Sequence, residues 1–333
     1  MRRVAGVLLA AATVALLLEA GLRWSGVLQT YSERNFDRYD SYFDRVRATD
    51  WFLERGPVLI YDQAEFHIEC PAGPMGLRSP GPAAGDSVHR VLFLGDSFTE
   101  GVGARCDSSL PARFQQATGN DTVAVNAGVV GSDPFLSLHW YEEHFKDLPH
   151  DEVVLVMNFS DLSDHVFWGG DERFDGDSVR SRPAPWFHGL YRHLHVVRAV
   201  VHGVLRYDFA LTPPWRREAM LEEALDAYAR RINEFTATHP DVPLTVVVHP
   251  YPFAVAQHVP GHDRLPSLGD RLPPTPRFID LYPAFAEVLT AENHAQYSWP
   301  TDGHFNDAGY ALFTRLLLRE VRRSPGFGEI GGG

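Results

Sequence analysis

The sequence of 333 residues is short of cysteine and of basic side chains, and each shortage excludes a class of function. Cys70 and Cys106 are its only cysteines, and two thiols this far apart do not make a zinc motif. Lysine and arginine total 30 against 43 aspartate and glutamate residues, which leaves a formal net charge of −13. Nucleic-acid binding needs a basic surface, so we expect no nucleic acid as the main partner.

One long apolar run stands at the N-terminus. Val4 to Leu18 is a charge-free run of 15 residues behind two arginines, the layout of a secretory signal or a signal anchor. Leu18-Glu19-Ala20 places leucine where a cleavable signal prefers a small residue. We therefore predict an uncleaved anchor over residues 1–24, with the domain exported to the periplasmic or extracellular side. A cleaved signal would instead give a secreted protein.

The rest of the chain suits one large α/β domain. Apolar residues make up 44% and charged residues 22%, which is typical of a globular protein. Residues 25–87 are predicted to be a stalk or irregular region, 88–325 the domain, and 326–333 a tail. The aromatic-rich residues 165–215 are predicted to be an insertion. It either packs a small core of its own, which we favour, or forms a lid over the site.

Five short apolar runs, bounded by glycine, proline or polar residues, predict the strands of a parallel sheet buried on both faces. These runs are Val91–Leu94, Thr122–Val125, Val153–Met157, Leu244–Val248 and Arg277–Leu281. Between the third and fourth runs, apolar residues recur at spacings of three and four from 216 to 238 and predict a scaffold helix.

Polar residues that carry chemistry follow these runs. The string GDSFTEG places Asp96 and Ser97 directly after the first run, where open α/β sheets bind their ligands. Near the C-terminus, Asp302-Gly303-His304 precedes the last predicted helix. A neutral imidazole can take the proton of a serine hydroxyl, and a carboxylate can hold that imidazole in the required tautomer.

Together, GDSFTEG, Asn126-Ala127-Gly128 and Asp302-x-His304 resemble the motifs of the SGNH, or GDSL-type, hydrolases over roughly residues 88 to 323. The D-x-H spacing is that of related acyl-esterase and acetyltransferase branches. The resemblance implies a flavodoxin-like three-layer α/β/α sandwich with a five-stranded parallel sheet. It also implies Ser97 as nucleophile, His304 as base, Asp302 as its partner, and no metal or cofactor.

The resemblance further implies an oxyanion hole formed by the N–H groups of Ser97 and Gly128 and by a polar side chain after the third strand. The family pattern there is G-x-N-D, and this chain departs from it. Alignment on Asp161 puts Ser160 where asparagine is expected. Asn158 and Ser160 both remain candidates for the third donor.

Several assignments depend on the tertiary structure. Asp96, His249 and Tyr251 are weaker candidates for the substrate pocket, because all three follow predicted strands. His249 is the weaker alternative to His304 as a base, since no acidic residue is near it in sequence. Cys70 and Cys106 form either a disulfide or two separate buried thiols.

The expected activity is hydrolysis of an O-acyl ester, such as an acetyl ester, through an acyl-enzyme. The ester belongs to a small molecule, a glycan or a lipid, and the N-terminal segment contacts the membrane. Two alternatives stay open: an O-acetyltransferase on a cell-envelope glycan, and a catalytically inactive binding protein on the same scaffold. The sequence does not determine the oligomeric state.

Overall fold

A computed structural model describes residues 2–26, 46–78, 89–119, 122–208, 211–259 and 261–323. The predicted tail, 326–333, lies outside the described residues, as does part of the predicted stalk. The chain forms two compact units. The first comprises residues 1–47 and 166–223, and the second comprises 48–165 and 224–333.

The second unit is built on a five-stranded sheet in which every pairing is parallel. Its strands are β4 His89–Gly95, β5 Thr122–Gly128, β6 Glu152–Met157, β9 Leu244–Val248 and β10 Arg277–Asp280. Their spatial order is β10-β9-β6-β4-β5. Numbered along the sheet-forming strands alone, this is the order 2-1-3-4-5 of the flavodoxin-like fold. The predicted fold class is confirmed.

Alternation along the strands divides the core between the two faces of the sheet. Val91 and Phe93 of β4 pack in one apolar cluster with Leu110, Phe114 and Phe313. These partners come from helices on one face, α3 Leu110–Thr118 and α11 Asp307–Arg323. Further α-helices that the structure describes in this unit are, in chain order, α2 Ser97–Glu100, α4 Pro134–Trp140, α5 Phe159–Trp168 (to residue 165), α8 Pro214–Thr238 (from residue 224), α9 Pro252–Ala256 and α10 Tyr282–Ala286.

Part of the range predicted to be a stalk is regular structure in the second unit. Strands β2 Val58–Gln63 and β3 Phe66–Pro71 pair antiparallel as a hairpin. The buried faces of Leu59, Tyr61 and Phe66 form a small cluster with Val102, which lies just after α2. A disulfide joins Cys70 of the hairpin to Cys106, so the first of the two alternatives for these cysteines is correct.

The first unit contains helix α1 Arg2–Ser25 and the segment of residues 166–223. By length and composition, residues 4–25 of α1 could cross a membrane, with a mean hydropathy of 2.1 and no buried residue in the apolar window among the described residues. Residues 166–223 hold the strands β7 Phe174–Asp175 and β8 Ser178–Arg180 and the helices α6 His188–His193 and α7 His195–Arg198. Tyr191, Val201 and Leu211 form a cluster there, so the insertion does pack a core of its own.

Candidate active site

The turn after β4 holds Ser97 at the edge of the sheet. Gly95 has φ of +148°, and a Cβ at this position would approach the Val156 carbonyl oxygen to 2.8 Å and collide with the Thr99 side chain. Asp96 caps helix α2 by accepting a hydrogen bond of 2.9 Å from the Phe98 N–H. Between Val91 and Glu100, Ser97 is the only residue that is not buried. The local sequence therefore turns the chain sharply and leaves one hydroxyl accessible.

Ser97, His304 and Asp302 form a continuous hydrogen-bonded chain. The Ser97 Oγ lies 2.7 Å from His304 Nε2. The His304 Nδ1 lies 2.5 Å from Asp302 Oδ1. When the Nδ1–H donates its hydrogen bond to the carboxylate, Nε2 carries the free lone pair that can accept the serine proton. These three side chains, separated by more than 200 positions, thus have the geometry expected of a nucleophile, a base and an orienting acid.

The carboxylate of Asp302 is held in its ionised form. Burial by itself would raise the pKa of Asp302, but the hydrogen bond and the charge of His304 outweigh burial, and the pKa is lowered overall. An ionised Asp302 accepts the Nδ1–H bond and stabilises the imidazolium that forms when His304 takes a proton.

The loop that carries Asp302 and His304 is fixed by the hairpin. Glu65, at the β2–β3 turn, accepts hydrogen bonds of 2.8 Å from the N–H groups of Thr301 and Asp302. The Trp299 Nε1–H donates to the Gly103 carbonyl at 2.8 Å, which ties the same loop to the segment after α2. The hairpin is therefore part of the framework that brings His304 to Ser97.

A cavity of about 500 Å³ opens beside the Ser97–His304 pair, and one wall of it is strand β2. Val102 and Val130 add apolar surface, and Ile60 on the hairpin is 60% exposed. Volumes of this size hold small ligands. Every lining residue belongs to the second unit.

The predicted oxyanion donors are not all directed to that cavity. Ser97 occupies the first position of α2, where helix geometry leaves an N–H group unused. The Gly128 N–H donates to Asn126 Oδ1 at 3.1 Å. Glycine is required at 128 because a Cβ there would meet the Thr99 carbonyl carbon at 2.7 Å.

Asn158 and Ser160 lie together, but both bind Asp96. The fully buried Asn158 amide donates to Asp96 Oδ2 at 2.8 Å. The Ser160 hydroxyl donates to Asn158 Oδ1 at 2.7 Å and lies 3.4 Å from Asp96 Oδ2. Burial raises the pKa of Asp96, and these hydrogen bonds partly offset the rise. The identity of the third donor stays a prediction.

Two of the weaker pocket candidates are buried, and their pocket role stays a prediction. Asp96 is 4% exposed, and its two oxygens accept hydrogen bonds from the Phe98 N–H and from the Asn158 amide. His249 is completely buried between aromatic rings, with Phe313 at 4.6 Å between ring centroids. Neither lines the cavity. Tyr251 packs edge-on against Phe98 at 5.1 Å, and its pocket role stays a prediction.

A charged cluster lies next to Ser97 that was not predicted from the sequence. Glu100 is 1% exposed and is bound by Arg55 at 2.8 Å and by the Tyr61 hydroxyl at 2.6 Å. It also accepts the Val130 N–H at 2.6 Å. The apolar run from Val58 to Tyr61 was a signal for the hairpin strand, but nothing local indicated Glu100 as its acidic partner.

No protein-family model and no curated protein matches the sequence. Solved structures with a similar fold include a two-domain esterase active on acetylated mannans, at a TM-score of 0.42 and 14% identity over 71% of this chain and 49% of that one. This chain therefore spans about half of that esterase. An acetylxylan esterase from Geobacillus stearothermophilus aligns at 0.43 and 19% over 75% and 99% of the two chains. A lipolytic G-D-S-L family member from Veillonella parvula aligns at 0.39 and 14% over 71% and 100%.

Proposed function

We propose that the protein is a serine esterase of the SGNH type that cleaves O-acyl esters. The observation that carries the proposal is the chain of contacts from Ser97 Oγ through His304 to Asp302, with the hydroxyl at the rim of an open cavity. A buried serine with the same partners could not receive a substrate. No step of the reaction requires a metal or a cofactor.

In this mechanism Ser97 Oγ attacks the acyl carbon, and its proton passes to His304 Nε2. The imidazolium, stabilised by Asp302, then gives that proton to the departing alcohol, and an acyl-Ser97 ester remains. A water molecule repeats the sequence and releases the acid. A sugar hydroxyl in the place of water would give acyl transfer, since both reactions share the acyl-enzyme.

The developing oxyanion needs N–H or side-chain donors, each worth about 10²–10³ in rate. We assign the Ser97 N–H first, because α2 leaves it unused. The Gly128 N–H is the second, and it would exchange its bond to Asn126 for one to substrate. Asn158 and Ser160 are alternatives: the Asn158 amide would have to release Asp96, and the Ser160 hydroxyl would have to release Asn158 Oδ1.

We also infer that α1 is an uncleaved membrane anchor. Glu19 and Arg23 near its end bond to residues of the 166–223 segment, where the Glu19 carboxylate accepts the Val196 N–H at 2.9 Å. Arg23 donates to the His193 carbonyl at 2.9 Å. Cleavage after residue 20 or beyond would remove one or both partners, so retention of the helix fits the structure better.

The test is hydrolysis of an aryl acetate by the full chain in detergent, together with labelling by a fluorophosphonate. We expect turnover and label on the wild type, and neither on Ser97→Ala. Ser267→Ala is the matched control, because its hydroxyl bonds only to the nearby Arg264 carbonyl. Label that persists on Ser97→Ala, or a wild type that neither turns over nor labels, would exclude the esterase and favour the inactive binding protein.

An acyl series from acetate to octanoate, assayed with and without an added oligosaccharide, resolves the alternatives. Free acid as the product supports hydrolysis. Acyl groups that appear on the sugar would identify a transferase that uses the same three side chains.

A further inference from the structure

Residues 186–206 of the first unit differ in charge from the rest of the protein. In a chain of net charge −13, these 21 residues include three arginines and four histidines and no aspartate or glutamate. Arg192 and Arg206 are exposed. A basic segment is attracted to an anionic surface, whereas the acidic remainder of the protein is repelled by it. Such a surface would therefore contact the protein through this segment.

The same segment exposes apolar side chains that its own core does not use. Tyr191 and Val201 are buried in that core. The exposed set consists of Trp186 at 91%, Leu190 at 55%, Leu194 at 38%, Val200 at 43%, Val204 at 72% and Leu205 at 44%. Val200 and Val204 are four residues apart within the helical segment of residues 199–204, which places them on one face of that segment. Exposed apolar patches of this kind are binding surfaces.

Contacts with α1 fix the position of this segment along the anchor. Glu19 accepts the Val196 N–H and lies 3.2 Å from His195 Nδ1, and Arg23 donates to the His193 carbonyl. At 1.5 Å of rise per residue, Glu19 lies about 9 Å and Arg23 about 3 Å from the end of α1 at Ser25. If α1 spans a bilayer, that stretch is the headgroup region. Trp24, 94% exposed, is a residue type that is enriched there.

We propose that residues 186–206 lie in the headgroup region of the bilayer that holds α1. Their exposed apolar side chains insert among the upper acyl chains, and their cations contact anionic phospholipid. A basic segment with an apolar face is the usual composition of an interfacial helix. The inference rests on the anchor proposed above and is independent of the esterase chemistry.

The experiment places one environment-sensitive fluorophore at a time on the full chain in liposomes. Cys70 and Cys106 are joined, so a new cysteine is the only free thiol among the described residues. Leu190→Cys and Val204→Cys report on the segment, and Leu17→Cys reports on the anchor. Ala311→Cys, exposed on the second unit, is the control. The liposomes contain phosphatidylcholine, with or without phosphatidylglycerol, and lipids that carry a nitroxide near the headgroup or deep in the acyl chain.

We expect the labels at 190 and 204 to emit at shorter wavelength than the label at 311 and to lose intensity with the shallow nitroxide. The loss should be larger when phosphatidylglycerol is present. If 190 and 204 behave like 311 while the deep nitroxide quenches Leu17→Cys, the anchor holds and this inference is wrong. If Leu17→Cys is not quenched either, both fail, and aryl-acetate turnover in the same samples still reports on the esterase. Equal quenching with and without phosphatidylglycerol would overturn the anionic-lipid part.

Discussion

Two histidines of the second unit pack against the same phenylalanine but differ in exposure and in hydrogen-bond partners. The rings of His304 and His249 lie 4.8 Å and 5.0 Å from the Phe98 ring, between centroids. The His304 side chain is 21% exposed and bonds to Asp302 and Ser97. His249 is completely buried, and its Nε2 has no partner in the part of the chain that the structure describes.

The difference shows what makes an imidazole a usable base. Burial lowers the pKa of His249 to about 3, so its imidazole is neutral at ordinary pH. Among the described residues, no carboxylate is hydrogen-bonded to the ring. Asp302, in contrast, is hydrogen-bonded to His304 and stabilises its cation. Both histidines have a neighbouring aromatic ring, so that ring does not explain the difference. What distinguishes His304 as a possible base is its hydrogen bonds to an acidic side chain and to an accessible serine hydroxyl. Five predictions test this comparison.

Removing either side chain of the reacting pair should have the largest effect. His304→Ala and Ser97→Ala should each lower kcat by about 10⁶-fold, because the two act as a unit. The double variant should be no worse than either single one, as measured with aryl acetate. His249→Ala retains the pair, and a comparable loss of kcat in this variant at a temperature where it stays folded would break the comparison.

Asp302→Asn should reduce kcat by about 10⁴-fold. The amide would donate to Nδ1 and favour the tautomer with a proton on Nε2, which cannot accept from Ser97. Asp302→Glu is the matched variant that keeps the charge. The prediction fails if Asn and Glu at this position give the same rate while circular dichroism shows both folded.

Glu65→Ala should lower kcat by about 10- to 100-fold with little change in KM, because the loop of Asp302 and His304 loses two hydrogen bonds and its position. Glu65→Gln keeps a carbonyl oxygen as acceptor and should recover most of the rate. Equal losses in the two variants would mean that the charge of Glu65, and not its hydrogen bonds, matters.

His249→Phe should leave turnover nearly unchanged and alter stability at low pH. The folded pKa of His249 is about 3 against about 6.5 when unfolded, so its contribution is full above pH 6.5 and is lost as pH falls toward 3. Between pH 7.5 and 5 the wild type should lose about 2 kcal/mol of unfolding free energy that the variant keeps. Urea titrations of both proteins at the two pH values measure this difference.

His67→Gln is the opposite control. Hydrogen bonds to Asp62 and Glu69 raise the pKa of His67, so its contribution is present at low pH and is lost as pH rises. The variant should therefore lose stability relative to the wild type at pH 5, where His249→Phe gains. The same sign in both variants would contradict the assignment of their environments.

Much of the fold was predictable because its strongest signals are local. Val153–Met157 and Leu244–Val248 were predicted as strands and are strands, within one residue. A strand buried on both faces is a run of apolar residues in any context. The hairpin at 58–71 was missed because its exposed side chains include apolar ones, Val58 and Ile60, and its buried side chains pack against Val102 and are joined to Cys106, far along the chain.

The sequence by itself determined the local features of the site: a sharp turn that requires glycine, a serine directly after that turn, and an aspartate two residues before a histidine. Only the tertiary structure decided that His304 Nε2 lies 2.7 Å from Ser97 Oγ, and that the amide of Asn158 donates to Asp96. The physical reason is range. Backbone strain and apolar periodicity act within a few residues, whereas hydrogen-bond partners are chosen among all the side chains that packing brings within 3 Å.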